Sequence, residues 1–248
     1  MRNKLRLSLI IPAYNEAPCL RRSIGFIEEA VKSITRSYEI VIAEDGSVDG
    51  TDRIAADMAR ENSRIIHSHA DGRLGKGQAL KRALKTSVGE IVVLMDADLA
   101  TSLGHLSKLV LLIEREYDGA IGSRYTKGSI TYRTLLRTLT SKTYNILIGL
   151  LFRSEIRDHQ CGFKAFRRKA FERLLKDVES DGFIFDTELI IKAKRKGFSI
   201  AELPVTWKEP YGRRSKFNLL RDGPAMGLGL LRLRAKLWKR DIQRRKWF

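Results

Sequence analysis

The chain has 248 residues, 43% hydrophobic and 31% charged, with 47 Lys and Arg against 29 Asp and Glu for a net charge of +18. That balance excludes an intrinsically disordered chain, and the length allows one large domain or two small ones. The positive excess is uneven: positions 207–248 hold 13 basic and 3 acidic residues, which points this end at an anionic surface, nucleic acid or phospholipid.

Read in chain order, short apolar runs alternate with helical spacing. "MRNKLRLSLII" has the basic-then-apolar order of a signal peptide. It runs into Pro12 without a small-residue cleavage site, so 5–11 reads as a first strand. Further strands read at 38–43, 64–68, 90–95 and 118–123, and helices at 16–33, 49–61, 75–87 and 102–116. The strand runs are apolar almost throughout, as in sheets covered by helices on both faces. The alternation predicts an α/β fold with a mostly parallel sheet, whose ligand would lie beyond the carboxyl ends of the strands. After that come a helix over 133–152, a short strand in "CGFKAFRR", a helix over 183–196, and a strand over 198–207 limited by Pro204. A basic amphipathic helix follows at 228–247, with Leu230, Leu233, Leu237 and Trp238 expected to dip into a membrane surface. Residues 1–210 read as the main domain and 211–248 as a basic, membrane-associating segment. No apolar run reaches the roughly 18 residues that span a bilayer, so peripheral association is expected.

Polar clusters mark three strand ends: "PAYNE", "EDGSVDG" and "DAD". In the third, period-2 geometry would put Asp96 and Asp98 on one side of an extended chain. Two carboxylates ~4 Å apart repel by about 4 kcal/mol at an effective dielectric of about 20, so a cation is called for. Mg²⁺ or Mn²⁺ fits when phosphate oxygens share it. The alternative is that Asp98 caps the following helix. Asp49 suits an N-cap, whereas Asp45 is harder to explain that way and suits a nucleobase amide. "GRLGKGQAL" lacks the Ser or Thr a P-loop needs after its Lys, but a Gly-rich helix start bearing Lys76 still suits an anion. The turn "YGRRSK" groups Arg213, Arg214, Ser215 and Lys216 in a manner suited to phosphate. His67 and His69 alternate on one strand with no third ligand in the neighbouring sequence, and read as structural, as do His105 and His159. Cys19 and Cys161, far apart, argue against a disulfide framework and for a reducing compartment.

In this order, "SLIIPAYNEA", "VIAEDGSVDGT", "GKGQAL" and "VVLMDADLAT" resemble the family 2 glycosyltransferases of the GT-A fold, a Rossmann-like architecture. "DHQCGFKAFRR", "FIFDTELI" and "VTWKEPYGRRSKFNLLRDG" look like the dolichyl-phosphate β-glucosyltransferase branch, with dolichyl-phosphate mannose synthases next. The resemblance implies that Pro12, Ala13, Tyr14 and Glu16 line the nucleotide pocket with Asp45 on the base. It implies that Asp96, Ala97 and Asp98 meet the metal and sugar diphosphate. It also places Arg124 near the phosphates or acceptor, and Arg213, Ser215 and Lys216 on the lipid phosphate, with Arg214 an alternative. Mannose synthases commonly carry Gln where this chain has Ala100, which favours glucose.

The activity so implied is inverting transfer of a hexose, glucose from UDP-glucose or mannose from GDP-mannose, to a polyprenyl phosphate. A phosphomonoester with a second pKa of about 6 is already anionic and needs no general base. Asp186 or Glu188 would orient the acceptor or sugar. Asp186 would be the base if the acceptor were a soluble sugar. The expected setting is the cytoplasmic face of an anionic membrane. A nucleic-acid-binding protein is the competing class, disfavoured because the basic excess is terminal and the strand ends are acidic.

Overall fold

The computed structural model describes residues 6–209 and 219–245. Strands β1 (Leu7–Ala13), β2 (Tyr38–Glu44), β3 (Ile65–Ser68) and β4 (Ile91–Leu94) alternate with helices α1 (Leu20–Lys32), α2 (Thr51–Glu61) and α3 (Lys76–Thr86). A 3₁₀ turn, Leu103–His105, leads into α4 (Leu106–Glu114), followed by β5 (Gly119–Ser123), β6 (Ile130–Tyr132) and α5 (Leu135–Phe152). The rest comprises β7 (Lys164–Arg167), α6 (Arg168–Leu175), α7 (Phe185–Arg195), β8 (Ile200–Pro204), β9 (Thr206–Lys208) and α8 (Leu219–Arg245).

Seven strands form the main sheet in the order β3-β2-β1-β4-β7-β5-β8, and β6 pairs with β9 in a two-stranded sheet. Every pairing in the main sheet is parallel except those of β7, which lies antiparallel between β4 and β5. Strand alternation sorts the core into two layers. Leu7, Leu9 and Ile11 of β1 face α1, α2 and α4, while Ile10 joins Val41, Val92 and Leu94 against α3, α6 and α7. Burial on both faces accounts for the long apolar runs of these strands, and the buried Ser8 of β1 donates to Glu39 of β2 at 2.6 Å.

Two expectations need correction. The strand expected over 198–207 divides at Val205, so that β8 pairs with β5 and β9 with β6. Pro204 has no N–H to offer a ladder and occupies the last position of β8. In α8, Leu230, Leu233 and Leu237 do not face outward. With Ile148 and Ile191 they form a buried cluster against α5 and α7. Trp238, Leu228 and Leu231 are the large hydrophobic residues that helix exposes among the described residues. In α5, Ile148 is core, whereas Leu135 (88% exposed), Leu139 and Leu150 face outward. No helix among the described residues is long and apolar enough to cross a membrane.

Candidate active site

The loops after β1, β2 and β4 close around a cavity of about 500 Å³. Its lining includes Pro12, Ala13, Tyr14, Glu16, Asp45, Lys76, Asp96, Ala97, Asp98 and Asp186. Eight of these were expected in the nucleotide-sugar pocket from the strand-end motifs, and Lys76 from its place at a helix start.

Local chemistry holds the walls. The Asn15 amide donates to Ser47 Oγ at 3.0 Å, the Glu16 amide to Thr51 Oγ1 at 2.7 Å, and the Ala17 amide to Asp49 Oδ2 at 3.1 Å. Asp49 also accepts from the Thr51 amide at 3.0 Å, but it does so from one residue before the N-cap expected of it, which is Gly50. These bonds fasten the loop after β1 to the one after β2. Gly46, at φ +67°, lies so close to the next loop that a Cβ would stand 2.3 Å from the Gly72 carbonyl carbon. Asp45 accepts from the Leu74 amide at 3.0 Å and the Gly75 amide at 2.8 Å. It therefore shapes the cavity as well as facing it. The same loop sets Arg73 over the Tyr14 ring, 4.2 Å from its centroid.

Asp96 and Asp98 reach the cavity by a route other than the pleat. β4 ends at Leu94, and a turn follows in which the Leu99 amide donates to the Asp96 carbonyl at 3.3 Å. Leu99 itself has φ +53°. The Asp98 carboxylate accepts from the Ala100 amide at 3.1 Å and so braces the turn, but the capping alternative fails: the helical segment starts at Leu103, and Ser102 caps it through the Gly104 amide. The Asp96 side chain is 49% exposed, with Lys76 Nζ 3.6 Å away. Behind it Gly162 provides a cradle: a Cβ there would fall 1.9 Å from Asp96 Oδ2. Two carboxylates facing one cavity, one seated in space that only glycine leaves open, fit a hard divalent cation.

Asp186 is not a free carboxylate. Oδ2 takes Lys76 Nζ at 2.7 Å and Oδ1 takes the fully buried Lys164 Nζ at 2.8 Å. Burial pushes its pKa up, but Lys164 and Lys76 more than reverse that and hold it below the ordinary carboxylate value. Burial likewise works against the Lys76 charge, and Asp186 and Asp96 together raise its pKa overall. Glu188 does not approach the cavity. It pairs with Lys192 and accepts from the Ser180 amide at 2.8 Å, locking α7 to the preceding loop.

Arg124 is also placed elsewhere. Nε and Nη2 grip the two oxygens of the fully buried Asp158 at 2.7 and 2.8 Å, and the guanidinium lies between the Tyr125 and Trp207 rings. Burial disfavours both charges, yet the pair raises the Arg124 pKa and lowers that of Asp158. This clamp fixes the segment leading to Gln160, which does line the cavity. Arg213, Arg214, Ser215 and Lys216 lie outside the described residues. Sequence reading did not assign Arg73, Gln160, Asp181 and Phe183 as lining residues, although Arg73 lies within "GRLGKGQAL", Gln160 within "DHQCGFKAFRR" and Phe183 within "FIFDTELI".

The remaining histidines mostly match expectation. His105 Nε2 accepts from the Thr206 amide at 2.9 Å, and His159 lies between Asn145 and Ser154. Burial drives the His159 pKa down to about 4. Both cysteines are free.

A mostly parallel sheet with paired carboxylates at the end of β4 defines an α/β nucleotide-sugar transferase architecture of the GT-A type. The chain belongs to glycosyl transferase family 2, whose model matches residues 8–175. It is 44% identical over 231 residues to Glycosyltransferase AglD of Haloferax volcanii, covering 92% of this chain and 37% of that protein. The chain thus spans little more than a third of that relative. It is 34% identical over 224 residues to a dolichyl-phosphate beta-glucosyltransferase, ALG5A, of Trichomonas vaginalis, covering 86% of this chain and 68% of the other. Among solved structures it resembles glucosyl-3-phosphoglycerate synthase from Mycobacterium tuberculosis in complex with Mn²⁺, uridine-diphosphate and phosphoglyceric acid. The TM-score is 0.69 at 21% identity, with 93% of this chain and 77% of the other covered.

Proposed function

We propose that this protein transfers glucose from UDP-glucose to a polyprenyl phosphate, with inversion at the anomeric carbon. The state of Asp186 carries the reading: the carboxylate best suited by position to act as a base is neutralised by two ammonium groups. A phosphate acceptor fits such a site, because its nucleophilic oxygen is already anionic at neutral pH. The dolichyl-phosphate beta-glucosyltransferase relative supports the same acceptor.

Asp96 and Asp98 would hold Mg²⁺ or Mn²⁺. When bound, the ion supplies charge neutralisation to the leaving nucleoside diphosphate. Tyr14, backed by Arg73, and Asp45 form the nucleotide end of the cavity. Lys76 extends positive charge toward Asp96. Arg213, Arg214, Ser215 and Lys216 would grip the acceptor phosphate. The exposed residues Leu135, Leu139 and Leu150 of α5, with Leu228, Leu231 and Trp238 of α8, give an apolar surface for the prenyl chain's membrane. Each Lys or Arg close to an anionic leaflet adds about 1 kcal/mol. Peripheral docking at a cytoplasmic face follows from this reading, and two free cysteines suit that compartment.

The test is transfer of labelled sugar into the organic phase, from UDP-glucose and GDP-mannose separately, with Mg²⁺ or Mn²⁺ and polyprenyl phosphate vesicles. Label in lipid from UDP-glucose is expected. Label from GDP-mannose alone would make the chain a mannosyltransferase, and label only on a soluble sugar would remove the lipid acceptor. In the same assay Gly162→Ala should lose about 100-fold in rate, the scale expected when a reacting group moves by ~1 Å. The reason is that the new methyl occupies the place of the Asp96 carboxylate. Its circular dichroism should match the parent.

A further inference from the structure

β3 pairs with β2 in the register Ile42↔His67 and Ala43↔Ser68, which sets His69 beside Glu44, one residue past the paired ends. Glu44 is fully buried, and its Oε2 lies 2.5 Å from His69 Nδ1. The two imidazoles stand 5.4 Å apart, tilted by 48°. One ligand atom from each of Glu44, His67 and His69 lies within 4.8 Å of the others. A third ligand, invisible from the spacing of the two histidines, thus comes from the neighbouring strand.

We propose that Glu44, His67 and His69 form a second divalent-metal site, separate from Asp96 and Asp98, that takes a borderline ion such as Zn²⁺. Two imidazoles and one carboxylate are ligands for that class of ion, whereas Mg²⁺ and Mn²⁺ favour oxygen alone. An independent observation points the same way: Nε2 of His67 is buried and has no hydrogen-bond partner. A buried polar atom in that state carries a desolvation cost that a ligand would remove. The carboxylate is already oriented, since Glu44 Oε1 accepts from the Ser47 amide at 2.5 Å. Ligand atoms about 2.0–2.2 Å from one ion stand roughly 3.3 Å apart, so small side-chain rotations suffice. The ion would replace the hydrogen bond between His69 Nδ1 and Glu44 Oε2. A fourth position is open to water, while Asp71, whose Oδ1 lies 3.4 Å from His69 Nε2, stands on the other ring nitrogen and would orient the imidazole. Arg82, bonded to the Glu44 carbonyl and the Ser68 hydroxyl, flanks the site without occupying it.

Position gives such an ion a consequence. It would clip the carboxyl ends of β2 and β3 together beneath the loop 69–75. That loop presents Arg73 to Tyr14, and its amides bind Asp45. The clip would therefore stiffen the nucleotide end of the cavity.

The experiment uses the full chain with Asp96→Asn and Asp98→Asn, which disables the first site, stripped of metal and titrated with Co²⁺ and then Zn²⁺. One equivalent of Co²⁺ should give the visible absorption of a four-coordinate site, and Zn²⁺ should abolish it while raising Tm by several degrees. His69→Gln and His67→Gln should each weaken binding by about 100-fold and remove the Tm rise. If His67→Gln fails to fold, the half-exposed His69 decides alone. No absorption and no Tm rise in the parent would leave Glu44–His69 as a hydrogen-bonded pair only. Binding unchanged in the histidine variants would place the ion elsewhere. Either result overturns the site, and neither bears on the glucosyl-transfer reading.

Discussion

Asp96→Asn and Asp98→Asn should each lower kcat/KM for sugar transfer by about three orders of magnitude, equivalent to about 4 kcal/mol of transition-state stabilisation. The two substitutions separate charge from architecture. Asn at 98 keeps an oxygen able to accept from the Ala100 amide, now at 3.1 Å, so the turn after β4 is preserved. Asn at 96 alters a half-exposed group, whose 3.6 Å approach to Lys76 is worth little in water. Neither variant should shift Tm by more than a degree or two. Raising Mn²⁺ should recover part of the lost rate if the remaining carboxylate still binds weakly. Full activity in Asp98→Asn would reduce Asp98 to a turn residue. Full activity in both would remove the divalent ion from the mechanism.

The parallel sheet was legible because β1, β2 and β4 are buried on both faces and so carry long apolar runs, broken near their starts only by the hydrogen-bonded Ser8 and Glu39, with polar clusters where the chain leaves the sheet. Those departures mark the cavity, and Pro12, Ala13, Tyr14, Glu16, Asp45 and Asp96 to Asp98 all line it. What local pattern cannot supply is the partner. Arg124 reads as a phosphate ligand until Asp158, 34 residues on, takes both ends of its fork. Asp186 reads as an orienting carboxylate until Lys76 and Lys164 arrive from two other elements. Helix α8 shows the same limit. Its leucine spacing defines a stripe but not what covers it, and α5 and α7 cover the stripe. The insertion of β7 between β4 and β5 likewise depends on non-local pairing.

Asp186→Asn should cost about 3–5 kcal/mol of stability, the range for removing one partner of a buried ion pair. At a Tm slope of roughly 2–4 °C per kcal/mol for a chain of this size, the loss is about 10 °C. Lys164 explains the size. It is fully buried, and among the described residues its ammonium has, apart from Asp186, only the Cys161 carbonyl. An amide oxygen at 186 accepts a hydrogen bond but leaves that charge uncompensated. Adding Lys164→Met should restore most of the stability, because the stranded charge is then gone. The pH dependence has a definite sign. The Asp186 carboxyl is held below its unfolded value, so its contribution is complete above about pH 4 and fades as pH falls further. The wild type should lose stability through that acid window, and the variant should lose less, because one coupled carboxylate is absent. Calorimetry at pH 7 and pH 3 reads both effects. A variant as stable as the parent at pH 7, yet inactive, would mean that Asp186 acts directly on substrate and that the lysine clasp is incidental.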